Sequence, residues 1–330
     1  MESFRIAAQS VSRIGLGTWA IGGLEWGAVS ESDAVSTILA ALDCGINLID
    51  TAPIYGHGRA EQLLGKAIRR HGKRDDFFLA TKAGLAWQIP GQPGVFADSS
   101  TARLRQELDD SLRRLGTDCI DLYQLHWPDP LIPIEETAAL LASFVASGKV
   151  RFLGVSNCTV SQMERFRAVA PLVSNQPPYN LFERQIDAEI LPWCAHNHVA
   201  VLTWSSLCRS LLGGRLATDT EFPPGDIRRV DPKFQPPRFA SYIRAVQQLH
   251  AFAQANYGKS VVELAVRWVL DRPGISAALW GAKRPAQLDP VAGVMGWKLD
   301  SSAMLAIDQI VAQAVSDPVG PEYLTPSARQ

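Results

Sequence analysis

The sequence predicts a closed α/β barrel of eight parallel strands, the (β/α)8 or TIM architecture, and three observations carry that prediction. Eight short apolar runs alternate with stretches of helical spacing along 330 residues, with no break in composition between them. The runs are continuously apolar, as in strands covered on both faces, and do not alternate with polar residues. Three of them stop at a residue suited to chemistry more than to packing: Ile46–Ile49 at Asp50, Phe77–Thr81 at Lys82, and Ile120–Leu125 at His126. The chain is long for an ordinary domain, but barrels of this kind run as one unit, so residues 1–330 are expected to form a single domain.

The elements follow in order. Phe4–Ser12 reads as a hairpin lid, and Ile14–Thr18 is the first strand. Ser32–Cys44 has helical spacing, with Asp33 in its first turn and Gly45 as a stop. Strand two is 46–49, and Glu61–Arg70 is a helix closed by Gly72. Strand three is 77–81. Thr101–Leu115 carries Leu104, Leu108, Leu112 and Leu115 on one face and ends at Gly116, a helix with a glycine cap. Strand four spans 119–125, and helix Glu135–Ser147 ends at Gly148. Arg151–Val155 is strand five, Ser161–Val169 a helix, Leu172–Asn175 strand six, Asp187–Asn197 a helix, and Val199–Thr203 strand seven. Ser260–Asp271 is the last large helix, Ile275–Trp280 strand eight, and Pro285 opens a helix after it.

Function in such a barrel sits on the loops after the strands. Two of these are long. Residues 84–99 contain Gly84, Trp87, Pro90, Gly91, Pro93 and Gly94. Residues 216–240 hold five prolines and the Arg228-Arg229 pair. Long loops in compact domains serve as lids or ligand clamps. A C-terminal segment of about 300–330 follows the last unit.

Composition narrows the class of partner. Apolar residues make up 47% and charged residues 20%, with Lys and Arg (32) balanced by Asp and Glu (33). No basic stripe points to nucleic acid. The first twenty residues carry Glu2, Arg5 and Arg13 and lack an apolar core, so no signal peptide is expected. No run reaches the ~18 residues of a membrane span. Five scattered cysteines without a Cys-x-x-Cys read as reduced thiols in a cytoplasm. The chain is expected to act on a small molecule as a monomer or small homo-oligomer.

Strand-end residues would converge at one rim of a barrel, and Tyr55, between Pro53 and Gly56, would join Asp50, Lys82 and His126 there. A phenol titrates near ~10 and is a reluctant acid alone. A neighbouring Lys82 ammonium would lower that value, and Asp50 would hold Lys82 charged. His126 could donate to a carbonyl oxygen. Such a group polarises a C=O and protonates it, with Tyr55 as general acid. None of the four attacks the carbon, a vacancy that a nicotinamide hydride fits. Each residue also has a plain reading, as a cap, a strand-end charge, a mouth aromatic or a core histidine.

The motifs that carry these residues make the chain resemble the aldo-keto reductases. They are Gly17-Thr18-Trp19, Asp50-Thr51-Ala52-x-x-Tyr55-Gly56, Ala80-Thr81-Lys82, Leu115-Gly116-Thr117-Asp118, Leu125-His126-Trp127-Pro128, Gly148-Lys149, Gly154-Val155-Ser156-Asn157 and Gln176-x-x-Tyr179-Asn180. The resemblance covers nearly the whole chain and is to bacterial members acting on small aldehydes, glyceraldehyde and polyols. It implies the barrel, NADP(H) as cofactor and the tetrad Asp50, Tyr55, Lys82 and His126.

By the same matching, Ser156, Asn157 and Gln176 would bind the nicotinamide carboxamide, with Thr18, Trp19 and Asp50 nearby. Trp204 stands where relatives stack a Tyr on the ring. Ser205, Ser206, Leu207, Arg209, Leu212, Gly214 and Arg215 match the pyrophosphate segment, with Arg209 and Arg215 as charge partners. Gly281, Lys283, Arg284 and Gln287 open the last helix, where Lys283 and Arg284 suit a 2′-phosphate. Ser206 replaces a usual Pro, which would loosen its turn. Val291 replaces an adenine-binding Asn. Trp19, Trp26, Tyr55, Trp87, His126 and Trp127 are the expected substrate walls.

Two motifs are set aside. Gly15-x-Gly17-x-x-Ala20 imitates a dinucleotide fingerprint but runs into a glycine-rich loop, not a helix. Cys194-Ala195-His196-Asn197-His198 lacks a further ligand, and no metal is expected. Two other functions stay open for the fold: a Schiff-base aldolase using Lys82, and a cofactor-sensing regulatory subunit with weak catalysis.

Overall fold

The computed structural model describes residues 1–89 and 92–329. Eight parallel strands close into a barrel in sequence order: β1 (Ile14–Gly17), β2 (Leu48–Asp50), β3 (Phe78–Ala83), β4 (Ile120–Leu125), β5 (Val150–Ser156), β6 (Ser174–Gln176), β7 (Ala200–Thr203) and β8 (Ile275–Gly281). β8 pairs back onto β1 and closes the ring. The TIM architecture is therefore the fold.

Side chains of a strand point alternately in and out, and the inward set here is legible by parity. Leu48, Phe78, Ala80, Leu122, Leu202, Ala277 and Leu279 fill the barrel interior as one apolar cluster. Ile6 and Val11 join that cluster from the N-terminal hairpin, Ser3–Ile6 paired with Gln9–Ser12. The hairpin thus plugs the end where the strands begin, and each apolar side chain contributes roughly 2 kcal/mol by its burial. It is a floor and not a lid over the strand ends, because its apolar residues meet the first residues of β2 and β3.

Departures from the expected elements have local causes. Residues 84–99, expected as an open loop, contain a β-hairpin, Leu85–Ile89 with Gln92–Ala97. Pro90 and Gly91 of that loop, and Gln330 of the terminal segment, lie outside the described residues. The helix expected at Asp187–Asn197 begins at Ile190, where Pro192 still falls in the first turn and needs no N–H partner. The helix after Pro285 is a 3-10 turn, Pro285–Leu288, followed by Val291–Val294, with Pro290 between them. Helix Arg238–Tyr257 and helix Ser301–Ala314 were not expected. Among the described residues no helix is long and apolar enough to cross a membrane.

One buried carboxyl sits where the 85–97 hairpin leaves β3. Glu107, on helix Thr101–Leu115, accepts hydrogen bonds from Gly84 N (2.8 Å) and Arg103 Nη2 (3.0 Å). Burial outweighs Arg103 and pushes the Glu107 carboxyl up to about 7 from 4.5. A raised carboxyl stabilises the fold below its unfolded value and loses that contribution as pH climbs through the folded one. The difference is on the order of 3 kcal/mol. We expect urea unfolding to show stability falling between pH 5 and 8, with a flatter profile in Glu107→Gln. An unchanged slope in that variant would contradict the assignment.

Candidate active site

The strand register sets the site. Asp50 pairs with Gly17 on one side and Ala80 on the other, and Lys82 pairs with Gln124. Asp50, Lys82 and Gln124 each lie two residues beyond an interior apolar residue, so all three point into the barrel. Tyr55 is carried by the loop after β2. Here Gly56 has φ +62°, and a Cβ on it would stand 2.3 Å from the Gly22 carbonyl oxygen. A Cβ on Gly22 would in turn meet the Tyr55 carbonyl carbon at 2.7 Å. The two glycines therefore let the β1 and β2 loops touch backbone to backbone, which places the phenol over the barrel.

Lys82 is fully buried and uses all three of its protons. Nζ donates to Asp50 Oδ1 at 2.6 Å, Thr51 O at 3.0 Å and Tyr55 Oη at 3.2 Å. Burial alone would weaken its hold on the proton, but Asp50 and Tyr55 outweigh it and raise the Lys82 value above the ordinary one. Asp50 Oδ2 also accepts from Gln176 Nε2 at 2.8 Å and Gln124 Nε2 at 3.4 Å. A lysine so held is an ammonium and a poor Schiff-base nucleophile.

The phenol behaves differently from the sequence expectation. Burial raises the Tyr55 value, Lys82 lowers it and Asp50 raises it again, and with burial the largest effect the balance is upward. Tyr55 therefore keeps its proton at neutral pH, with Lys82 donating to its oxygen. His126 stands edge-on to Tyr55, ring centroids 5.9 Å apart. Burial, then the Lys82 charge, drives His126 well below its usual value, so its ring is neutral. Its Nδ1 is buried without a hydrogen-bond partner.

These residues open into a cavity of about 1450 Å³ including its mouth. It is lined by Asp50, Tyr55 and His126 on one side and by Ser156, Asn157, Gln176 and Trp204 on the other. Asn157 takes φ +58°, a conformation Asn tolerates, and its Nδ2 donates to His126 O at 3.0 Å. Trp204 Nε1 donates to Asn157 Oδ1 at 3.1 Å, which fixes the indole against the cavity. After β7, Ser205, Cys208, Arg209 and Ser210 all have positive φ, a strained loop of a kind that gathers at functional sites. Ser206, expected to loosen this turn, is held at 3.3 Å by Thr203 O and Thr203 Oγ1.

Lys283 and Gln287 line this cavity and also a second hollow of about 720 Å³, completed by Asp33, Arg215 and Arg284. Burial, then Arg228 and Arg284, lowers the Lys283 value. Cations so crowded gain from an anion. An elongated ligand with a ring at Trp204 and an anionic end at Arg284 fits this run of residues, and so the lining suits a nicotinamide dinucleotide.

Several expected residues lie elsewhere. Arg209 lines the cavity, but its guanidinium is buried in ion pairs with Glu183 and with Asp231 (2.6 Å), so its charge is already matched. Lys233 and Tyr323 complete that network. Leu212 is buried in the core, and Gly214 and Thr18 do not line the cavity. Trp87 stacks on His57 with centroids 5.3 Å apart and takes Arg103 over its ring, while Leu85 and Val95 of the same hairpin face the cavity. Val291 is buried. Trp19, Trp26 and Trp127 do line the cavity, as do Ser205, Ser206, Leu207 and Gly281.

The sequence reading did not single out Glu25, Gln124, Leu324 or Pro326. The last two arrive on the C-terminal tail, which Arg329 pins through Asp98 (2.8 Å) and Asp129 (3.1 Å).

Comparison with known proteins agrees with the fold. Residues 13–312 match the model of the aldo/keto reductase family. The chain is 51% identical to aldo-keto reductase YhdN of Bacillus subtilis (strain 168), covering all of this chain and 99% of that one. It is 34% identical to an NADH-specific methylglyoxal reductase of Escherichia coli (strain K12), over 84% and 88% of the two chains. The solved structure of glycerol dehydrogenase AKR11B4 from Gluconobacter oxydans superposes with a TM-score of 0.88 at 46% identity, over 98% and 99% of the two chains.

Proposed function

This chain belongs to the aldo/keto reductase family, and from that premise we propose that it is an NADP(H)-dependent oxidoreductase. It reduces small aldehydes or ketones to alcohols with Tyr55 as general acid, and oxidises polyols in reverse. One observation carries the reading: Lys82 spends its three protons on Asp50, Thr51 and the Tyr55 oxygen. The Tyr55 hydroxyl therefore accepts from Lys82 and has its own proton free for a carbonyl oxygen in the cavity.

The remaining groups support that transfer. As oxygen gains negative charge, the Lys82 ammonium behind the phenol stabilises the phenolate left behind. His126, neutral and in the same cavity, is a hydrogen-bond donor to the carbonyl and fixes its orientation. Asp50 keeps Lys82 charged and in place. A bound nicotinamide supplies the hydride that none of these side chains can.

Ser156, Asn157 and Gln176 would hold its carboxamide, Trp204 its ring, and the backbone of 205–207 its phosphates. Gln176 gives its amide protons to Asp50 Oδ2 and Gln124 Oε1, and so its carbonyl oxygen is the part left for the carboxamide. Arg215, Lys283 and Arg284 around the second hollow favour the 2′-phosphate of NADP(H) over NAD(H). The small aldehyde and the polyol named for the relatives are the substrate classes this cavity would take.

Two measurements test the proposal. NADPH and NADH oxidation should be compared against glyceraldehyde, methylglyoxal, aliphatic and aromatic aldehydes, and we expect turnover of small aldehydes with NADPH preferred. In fluorescence titrations, Lys283→Ala and Arg284→Ala should each weaken NADPH about tenfold and leave NADH nearly unmoved. Equal losses for both cofactors would contradict the 2′-phosphate assignment.

A further inference from the structure

We propose that Glu25 sorts substrates in this cavity, favouring neutral carbonyl compounds that carry a hydroxyl group and disfavouring those that carry a carboxylate. The inference rests on the carbonyl-reductase reading above and names what that site selects.

Glu25 lies on the glycine-rich loop after β1 and lines the same cavity as Tyr55 and His126. Trp19, Trp26, Ile54, Leu85, Trp127 and Leu324 line the same cavity and carry no charge, and the cations that line it, Arg209 and Lys283, are engaged by Glu183 and Asp231 and by Trp26 O. The place of Glu25 is fixed from two sides. Oε2 accepts from Trp19 Nε1 at 2.7 Å, and its backbone oxygen accepts from Ile227 N at 3.1 Å. Trp19 in turn stacks near Tyr55, ring centroids 6.2 Å apart.

Among the described residues Oε1 has no hydrogen-bond partner, and no cation pairs with this carboxyl. Cations that reach this loop from other segments are taken up by other groups: Arg228 pairs with Asp226 at 2.6 Å and covers the Trp26 ring, Lys283 Nζ donates to Trp26 O at 2.6 Å, and Arg59 donates to the carbonyl oxygens of Ile21, Gly22 and Val29. Partial burial of a carboxyl without a cation carries a cost, which a hydrogen-bond donor in the cavity offsets. Burial raises its hold on the proton, and its charge is felt at the Tyr55 phenol. A substrate hydroxyl is such a donor, and the aromatic faces beside it cover the carbon skeleton. A substrate carboxylate brought to the same wall meets like charge in a poorly solvated place.

The test compares kcat/KM for three aldehydes with NADPH at pH 8, well above the ordinary carboxyl range. Glyceraldehyde carries hydroxyls, propionaldehyde has the same three-carbon skeleton without them, and glyoxylate carries a carboxylate. In Glu25→Met, which keeps length and removes the acceptor, the glyceraldehyde-to-propionaldehyde ratio should fall about ten- to a hundredfold. In Glu25→Gln, which keeps an acceptor for Trp19 and removes the charge, the glyoxylate-to-propionaldehyde ratio should rise about tenfold. A wild-type ratio in either variant overturns the proposal. If Glu25→Met does not fold, Glu25→Gln decides alone. A wild-type protein that turns over no aldehyde at all overturns the reductase reading and this inference with it, an outcome distinct from unmoved ratios.

Discussion

Tyr55→Phe should lower kcat by about a thousandfold, the range set by removing a positioned general acid, while NADPH affinity stays close to wild type. The substitution deletes one oxygen from the cavity and leaves the ring in place between Trp19 and His126. Lys82 loses one of three acceptors but keeps Asp50 and Thr51, so its charge and position persist. Only the proton donor is gone. A variant with near-normal kcat would assign the acid elsewhere, and stopped-flow turnover beside a fluorescence titration of NADPH separates the two effects.

Lys82→Met should be larger in scope, because it removes charge from a fully buried pair. Asp50 would then face the barrel interior with only the amides of Gln176 and Gln124 as donors. Breaking a buried pair by deleting one partner costs roughly 3–5 kcal/mol, readable as a shift in urea unfolding. Activity should fall at least about a hundredfold, since the developing phenolate loses its cation. Pairing the change with Asp50→Asn tests the cause. The double variant should regain most of the lost stability, because no uncompensated charge remains, and none of the lost activity. An unmoved unfolding midpoint in Lys82→Met would contradict the buried pair with Asp50 as the source of the loss.

Most of the site could be read before any coordinates. A polar residue at the end of an apolar run has no packing role there, and in a closed parallel barrel all such ends share one rim. That is why Asp50, Lys82 and His126 stood out. The period of two then puts Asp50, Lys82, Gln124, Ser156, Gln176 and Trp204 on the inner face above Leu48, Ala80, Leu122, Phe152, Ser174 and Leu202. Gln124 was passed over because it lies inside the run and not at its end, although the same period marks it.

What could not be read depends on pairs far apart in sequence. Nothing local indicates that Leu324 reaches the cavity, since the tail is placed by Tyr323 on Asp231 and Arg329 on Asp98 and Asp129. Arg209 looked like a phosphate ligand until Glu183 and Asp231 were seen to hold it. Glu25 sits in a loop without periodicity, and only the cavity shows what surrounds it. Helix Arg238–Tyr257 is a different kind of miss. Phe239, Tyr242, Ile243, Val246 and Leu249 repeat at helical spacing and are buried, but the expected loop extends as far as residue 240 and no element is assigned between it and Ser260.

The most direct test follows an isotope. The protein is incubated with glyceraldehyde and NADPH deuterated at the transferable position of nicotinamide C4, and the alcohol is analysed by mass spectrometry. The account predicts one deuterium on the former carbonyl carbon, in amounts that collapse with Tyr55→Phe. Alcohol formed without deuterium, or no alcohol from any small aldehyde, would contradict it.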